Sequence, residues 1–321
     1  MSRRSLTSVL LAVALLLGLS GCALVNDNPR LRMMVPNSPG GGYDVTARTA
    51  VKITETTGIT NPVQVFNLSG AGGTVALSRL MHETANPDLV MMMGLGVIGA
   101  TITGNSTYRV TDATPIARLI EEQEGVMVPA DSPYTSISGL VSAWQADPGQ
   151  FAIGGGSQNG GPDQLMSMRL AGAVGIAPPQ VKYLAHDGGG ELLPALLANQ
   201  FDFALSGVRE YTEQIRSGQL RVLAVSGETR VPNIDAPTLT ESGIDVVFAN
   251  WRGVIAPPGL SAAQRDSLID TFTALDRTPQ WQAELTKNGW TDALLTGDSF
   301  GAFLAEQDKS VESALQELGL G

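Results

Sequence analysis

A short apolar run, a glycine-rich loop and a helix-like segment recur along the chain. Leu31–Val35 leads into Gly40-Gly41-Gly42, and Ala47, Ala50, Val51 and Thr54 then follow at i, i+3, i+4, i+7, the period of a helix with one buried face. Asp44 is placed to cap that helix. Val63–Phe66 leads into Gly70-Ala71-Gly72-Gly73, then into inward Leu77, Leu80 and Met81, with Pro87 as the stop. Phe151–Ile153 leads into GGGSQNGGPD (154–163), where Pro162 suits a first helical turn, and Met166, Leu170 and Val174 mark a buried face. Val181–Leu184 leads into AHDGGGE (185–191) and Leu192, Leu193, Leu196 and Leu197. Strands alternating with helices predict α/β layers with largely parallel sheets. Two such loops fall in each half, which predicts two lobes facing one cleft. The C-terminal third adds covering helices: Ser261-Ala-Ala-Gln264 is a capping box, Thr278-Pro279 a helix start, and Phe300, Phe303, Leu304, Val311, Leu315 and Leu318 a core stripe.

The first residues break this rhythm. Arg3 and Arg4 precede an apolar run, Leu6–Leu19, that is shorter than a spanning helix and ends in Leu19-Ser20-Gly21-Cys22. This ending resembles a bacterial lipobox. It implies a signal peptide over 1–21, lipidation of Cys22 and a tether over 22–29. Cys22 is the only cysteine, so no internal disulfide is available. The length of 321 residues suits two domains. A net charge of −11, made more acidic by loss of Arg3 and Arg4, argues against nucleic acid as a partner.

The 37 glycines exceed the ~22 that an average usage of about 7 % gives, so their placement carries information. A helix start has N–H groups without intrahelical partners and a partial positive charge, which suits a carboxylate or phosphate. One such contact contributes about 0.3–2 kcal/mol. A micromolar ligand needs about 8 kcal/mol. A single loop is either a tight turn or one part of a site; four loops at equivalent ends of successive units favour a site.

Enzyme signatures are weak. Gly94-Leu-Gly96-Val-Ile-Gly99 matches a dinucleotide fingerprint, but the following ATITGNSTYRV shows little helical periodicity. Ser157 is followed by Gln158 and Asn159, which is no nucleophile elbow. His82 and His186, without a cysteine partner, make no metal constellation. His186 reads as a loop hydrogen-bonder. No cofactor or metal is expected.

With these loops in hand, the chain resembles the solute receptors of tripartite tricarboxylate transporters, the Bug receptors. The resemblance rests on VPNSPGGGYDVTAR (35–48), NLSGAGGTVAL (67–77), GGGSQNGGPDQ (154–164), GGGELLPALLANQFDFALSG (188–207), GQLRVLAVSGE (218–228) and ANWRGVIAPPG (249–259). It covers nearly all of the mature chain, and NWRG with GGGYD looks most like the tricarboxylate branch.

The resemblance implies an α/β, two-lobed, periplasmic-binding-protein-like clamshell joined by two crossover strands. Lobe one would hold 30–128 and 249–321, and lobe two 129–248. One ligand carboxylate would be held, largely through backbone and water, by Ser38, Gly40, Gly41, Tyr43 and Asp44, and by Gly70, Gly72, Gly73 and Thr74. Ser157, Gln158, Asn159, Asp163, His186, Gly188, Gly189 and Ser206 would close from lobe two. The family often has histidine where this chain has Gln164, and a smaller apolar residue near His186. Asp44 and Arg48 are either ligand groups or a cap and a structural ion pair, and Arg252 either meets a carboxylate or braces the crossover. Gly72→Val is expected to reduce affinity more than stability. The implied function is a non-enzymatic, lipid-anchored extracytoplasmic receptor. It would deliver a citrate-like di- or tricarboxylate to a permease of one large and one small membrane subunit. The alternatives are a receptor for another small organic anion or an amino acid, or a sensor partner.

Overall fold

The computed structural model describes residues 31–186, 188–317 and 319. The expected signal segment, Cys22, the expected tether and Leu318 lie outside the described residues. The first half of the chain forms β1 (Arg32–Val35), α1 (Gly42–Thr56), β2 (Gln64–Asn67), α2 (Thr74–His82), β3 (Leu89–Gly94), α3 (Leu95–Thr103), β4 (Thr114–Pro129) and α4 (Ile137–Ala146). Then come β5 (Ala152–Gly155), α5 (Pro162–Ala173), β6 (Lys182–Ala185), α6 (Gly189–Leu197), β7 (Phe203–Gly207), α7 (Thr212–Arg216) and β8 (Leu220–Val225). The chain closes with β9 (Ala249–Ala256), α8 (Ala262–Asp276), α9 (Pro279–Asn288), β10 (Thr291–Thr296) and α10 (Gly297–Glu317).

Each apolar run became a strand and each following segment a helix. The parallel pairs are β1 with β2 and β3, and β5 with β6 and β7. These two parallel groups are joined through β9 and β4, in the order β2-β1-β3-β9-β4-β7-β5-β6, by antiparallel pairing. β4 is the long member. Through Gln123 it pairs with β9, and from Glu124 onward with β7. β10 and β8 pair with its two ends. The two-lobed architecture follows: two parallel α/β units share one strand that runs through both, and β9 lies beside it.

The helix faces follow the sequence period. Ala47, Ala50, Val51 and Thr54 are buried on α1, Leu77, Leu80 and Met81 on α2, and Met166 and Leu170 on α5. Ser261 caps α8 in a capping box with Gln264, and Thr278 caps α9 with Pro279 in its first turn. Phe300, Leu304, Val311 and Leu315 of α10 are buried.

Two expectations are corrected. Asp44 is not the cap of α1: the helix starts at Gly42, and Gly41 holds the extended cap position. The glycine fingerprint itself opens a helix: α3 holds Gly96 and Gly99 and takes in only Ala100–Thr103 of the segment that follows. Leu95, Val97, Ile98, Gly99, Ala100, Thr101 and Ile102 are all buried. A helix covered on every side needs no polar face, so it shows no amphipathic period.

Candidate functional site

The loop before α1 and the loop before α5 are the same turn built from different residues. Gly40 and Gly160 both have positive φ, +84° and +83°, which glycine adopts without a Cβ penalty. Gly41 N–H donates to the Ser38 carbonyl at 3.2 Å, and Gly161 N–H to the Gln158 carbonyl at 2.8 Å. A side chain four residues on then closes each turn. Gly40 N–H donates to Asp44 Oδ2 at 2.9 Å, and Gly160 N–H to Gln164 Oε1 at 2.6 Å. Gln164 is thus the counterpart of Asp44 in the second turn.

In lobe one, the Asp44 carboxylate is surrounded by donors from the protein. Arg48 Nε lies 2.9 Å from both oxygens, and Asn67 Nδ2 donates to Oδ1 at 2.9 Å. Burial opposes its charge. The hydrogen bonds from Arg48, Gly40 and Asn67 outweigh that and hold its pKa below the ordinary value. Gly42 is bare for a packing reason: a Cβ there would run into the Arg252 guanidinium. The Tyr43 hydroxyl lies against the first turn of α3, facing Gly96 and Val97 N–H, and burial pushes its pKa up to about 12. The second loop packs beside the first. A Cβ on Gly73 would lie 3.1 Å from Pro36 Cβ, and one on Gly72 would lie 2.5 Å from Ala100 Cβ. Gly72 also has φ +64°, and Thr74 begins α2. Gly72→Val therefore strains the backbone and collides with α3, which overturns the expectation that it spares stability.

In lobe two, Ser157 Oγ accepts from Asp163 N–H at 3.1 Å, and Gly156 N–H donates to Asp163 Oδ2 at 2.6 Å. Burial pushes the Asp163 pKa up to about 6, against those bonds. Gly188 N–H donates to the Gly156 carbonyl at 3.0 Å, and Gly189 opens α6. Ser206 on β7 is buried beside them: a Cβ on Gly156 would lie 3.4 Å from Ser206 Oγ and 3.2 Å from Gly189 N. His186 Nδ1 faces the Leu184 and Gly155 carbonyls at 3.1 and 3.3 Å, and its ring meets Phe201 edge-on. The side chains of Ser38, Gln158 and Asn159 are exposed at the loop tips.

The two loop sets face each other across α3. A Cβ on Gly99 would overlap the Gly160 carbonyl, and one on Gly96 would lie 3.0 Å from the Tyr43 hydroxyl and 3.8 Å from Pro162. The glycine fingerprint thus serves a close approach between the halves. A cavity of about 210 Å³ lined by Thr101, Asn105, Arg109 and Glu312 lies elsewhere, between α3 and α10.

Below the loops is an acidic floor that sequence reasoning missed. Glu122 and Glu124 of β4 are 2 % and 1 % exposed. Arg252 of β9, equally buried, donates from Nη2 to Glu122 Oε2 at 2.6 Å and from Nη1 to Thr46 Oγ1 at 3.1 Å. It therefore braces the crossover strands. Glu210 lies in the turn after β7, where desolvation and the Glu122 charge raise its pKa to about 8. In the sequence, the run Glu121-Glu122-Gln123-Glu124 reads as surface; its only internal signal is the apolar stretch on either side.

The family model described as "Tripartite tricarboxylate transporter family receptor" matches residues 47–320. The chain belongs to this receptor family. A UPF0065 protein of Cupriavidus necator is 27 % identical over 299 residues, covering 90 % of this chain and 88 % of that one. Among solved structures, an adipate-bound protein of R. palustris superposes with a TM-score of 0.80 at 20 % identity, covering 91 % of this chain and 98 % of that one. MatC of Rhodopseudomonas palustris with bound malate gives 0.76 at 21 %, covering 90 % and 99 %. The receptor shares their periplasmic-binding-protein-like fold.

Proposed function

We propose that this receptor binds a small organic carboxylate between its lobes and delivers it to the membrane permease of a tripartite transporter, without catalysing a reaction. The observation that carries the reading is the meeting of glycine-rich helix starts from both halves around α3, where Gly99 touches Gly160. The N–H groups of Gly42, Tyr43 and Asp44 at the start of α1, and those of Gly189 and Gly190 at the start of α6, have no intrahelical acceptors and favour an anion. The ligand range includes di- and tricarboxylates such as malate and citrate, and the fold neighbours that hold malate and adipate support a dicarboxylate. Arg252, engaged by Glu122, adds little to the case for a third carboxylate. Closure brings 30–128 with 249–321 onto 129–248.

The chain would work outside the cytoplasm, anchored through Cys22. Among the described residues no helix is long and apolar enough to cross a membrane. Release of a Cys22→Ser variant from the membrane fraction supports the anchor; retention after a salt wash refutes it.

The receptor reading is tested by calorimetry and small-angle scattering with malate, succinate, adipate, citrate and a neutral sugar. Binding of a carboxylate with a fall in radius of gyration supports it. Binding of the sugar alone, or of nothing, refutes it.

A further inference from the structure

The chain holds two Asn-Gly steps, Asn159-Gly160 and Asn288-Gly289. Such a step is a reactive setting for a thermolabile asparagine, because glycine puts no side chain in the way when its own nitrogen attacks the asparagine amide. The two steps are equivalent as sequence and differ in the fold. Asn288 closes α9: its Nδ2 donates to the Glu284 carbonyl at 2.8 Å and to Glu284 Oε2 at 3.0 Å. Gly289 N–H donates to the Thr286 carbonyl at 3.3 Å, and the Arg209 side chain lies where a Cβ on Gly289 would be. Trp290, which follows, is buried. Attack there requires the last turn of α9 to unwind and Arg209 to lift away.

Asn159 is exposed at a loop tip, and among the described residues nothing hydrogen-bonds its amide, so the leaving group is free. Only the backbone restrains this step. Gly161 N–H donates to the Gln158 carbonyl across a four-residue turn, and Gly160 at φ +83° after Asn159 at negative φ makes it type II. That turn sets ψ of Asn159 near about +120°, which points the Gly160 nitrogen away from the Asn159 side chain. The buried Gln164 holds Gly160 N–H through Oε1 at 2.6 Å, and the Gly160 carbonyl lies against Gly99. Flipping one turn frees the nucleophile, whereas the other step needs a helix end to open.

We propose that Asn159 is a site of spontaneous deamidation and that the hydrogen bond from Gly160 to Gln164 is the brake on it. With the turn flipped, the Gly160 nitrogen gives its proton to a solvent base and bonds to Asn159 Cγ. The Cγ–Nδ2 bond breaks, and ammonia leaves with a proton taken from water. Water then opens the five-membered imide. Cleavage of the bond from nitrogen to Cγ leaves an aspartate; cleavage of the bond from nitrogen to the main-chain carbon leaves an isoaspartate, whose backbone is one atom longer. Nothing is oxidised or reduced. Either product adds a negative charge beside the contact between Gly160 and Gly99, and the isoaspartate also displaces Gly160 from α3. The reaction does not depend on what the receptor binds.

The test incubates the full chain at pH 8.5, well below its melting temperature, and follows both steps by peptide mapping. Each deamidation reads as a gain of one mass unit and a split into two product peaks. Product at 159 should build up at least fivefold faster than product at 288. In Gln164→Ala, the rate at 159 should rise threefold or more while the rate at 288 stays unchanged. In urea, where turn and helix are both gone, the two rates should converge. Equal or inverted rates in the native protein, or a ratio that persists in urea, overturn the site and need no variant. A folded Gln164→Ala with the wild-type rate at 159 overturns the brake.

Discussion

Arg252 and Glu122 form a buried ion pair between β9 and β4, 2.6 Å from Nη2 to Oε2, two residues before β4 changes partners from one half of the sheet to the other. Breaking one side leaves an uncompensated buried charge. Arg252→Ala and Glu122→Ala should each lower the unfolding free energy by about 3–5 kcal/mol. The double replacement by Met and Leu should cost less than either. Urea denaturation measures all three. A folded, fully stable Arg252→Ala with weakened carboxylate binding would instead make Arg252 a ligand group.

Asp44 should shape the acid limb of stability. Its folded pKa lies below the ordinary 3.8, so its contribution is present above that value and is lost as pH falls through the folded pKa. Hydrogen bonds to a charged group contribute about 1.5–3 kcal/mol, and with Arg48 half exposed Asp44→Ala should fall near the lower end. Unfolding free energies at pH 3 and pH 6 should differ less in Asp44→Asn than in wild type.

The acidic floor should act with the opposite sign. Asp163, Glu210 and Glu124 have folded pKa values raised above the ordinary 3.8, 4.5 and 4.5, to about 6 for Asp163 and about 8 for Glu210. Between those limits the folded state binds more protons than the unfolded state, so stability falls as pH rises. The ligand-free protein should melt lower at pH 8 than at pH 5.5, and Glu210→Gln should narrow the gap. A wild-type melting temperature that rises over this interval contradicts the assignment.

Gly99→Ala separates closure from folding. Alanine favours the helix over glycine by about 0.8–1.0 kcal/mol, but its Cβ would overlap the Gly160 carbonyl. Ligand affinity should drop tenfold or more, about 1.4 kcal/mol, without a fall in ligand-free melting temperature. Scattering should show a larger radius of gyration. Unchanged affinity would show that the Gly99–Gly160 contact is not part of the bound form.

Ligand at about 100 times its dissociation constant should stabilise wild type by about 2.7 kcal/mol. With about 2.1 cal/mol/K of unfolding entropy per residue, a chain of this length should then melt about 4 °C higher. Scanning calorimetry at a series of ligand concentrations checks the slope.

The sequence by itself determined the repeating strand, glycine loop and helix, because each is set by local periodicity, by helix starts such as Thr278-Pro279, and by apolar runs such as Leu89–Met93. It also determined that bare backbone would gather at helix starts. What each glycine is for was decided by tertiary contact. Gly42 makes room for an arginine more than 200 residues away, and Gly99 for the carbonyl of Gly160. α3 hid its helical character because its burial comes from all sides, and the helical period appears only when one face meets water. The acidic run before Val126 looked like surface, because a charge is ordinarily left in solvent. Only the pairing of β4 with β9 and β7 put Glu122 beside Arg252 and left Glu124 without a donor, and strand pairing between distant segments is fixed by long-range packing that no local pattern records.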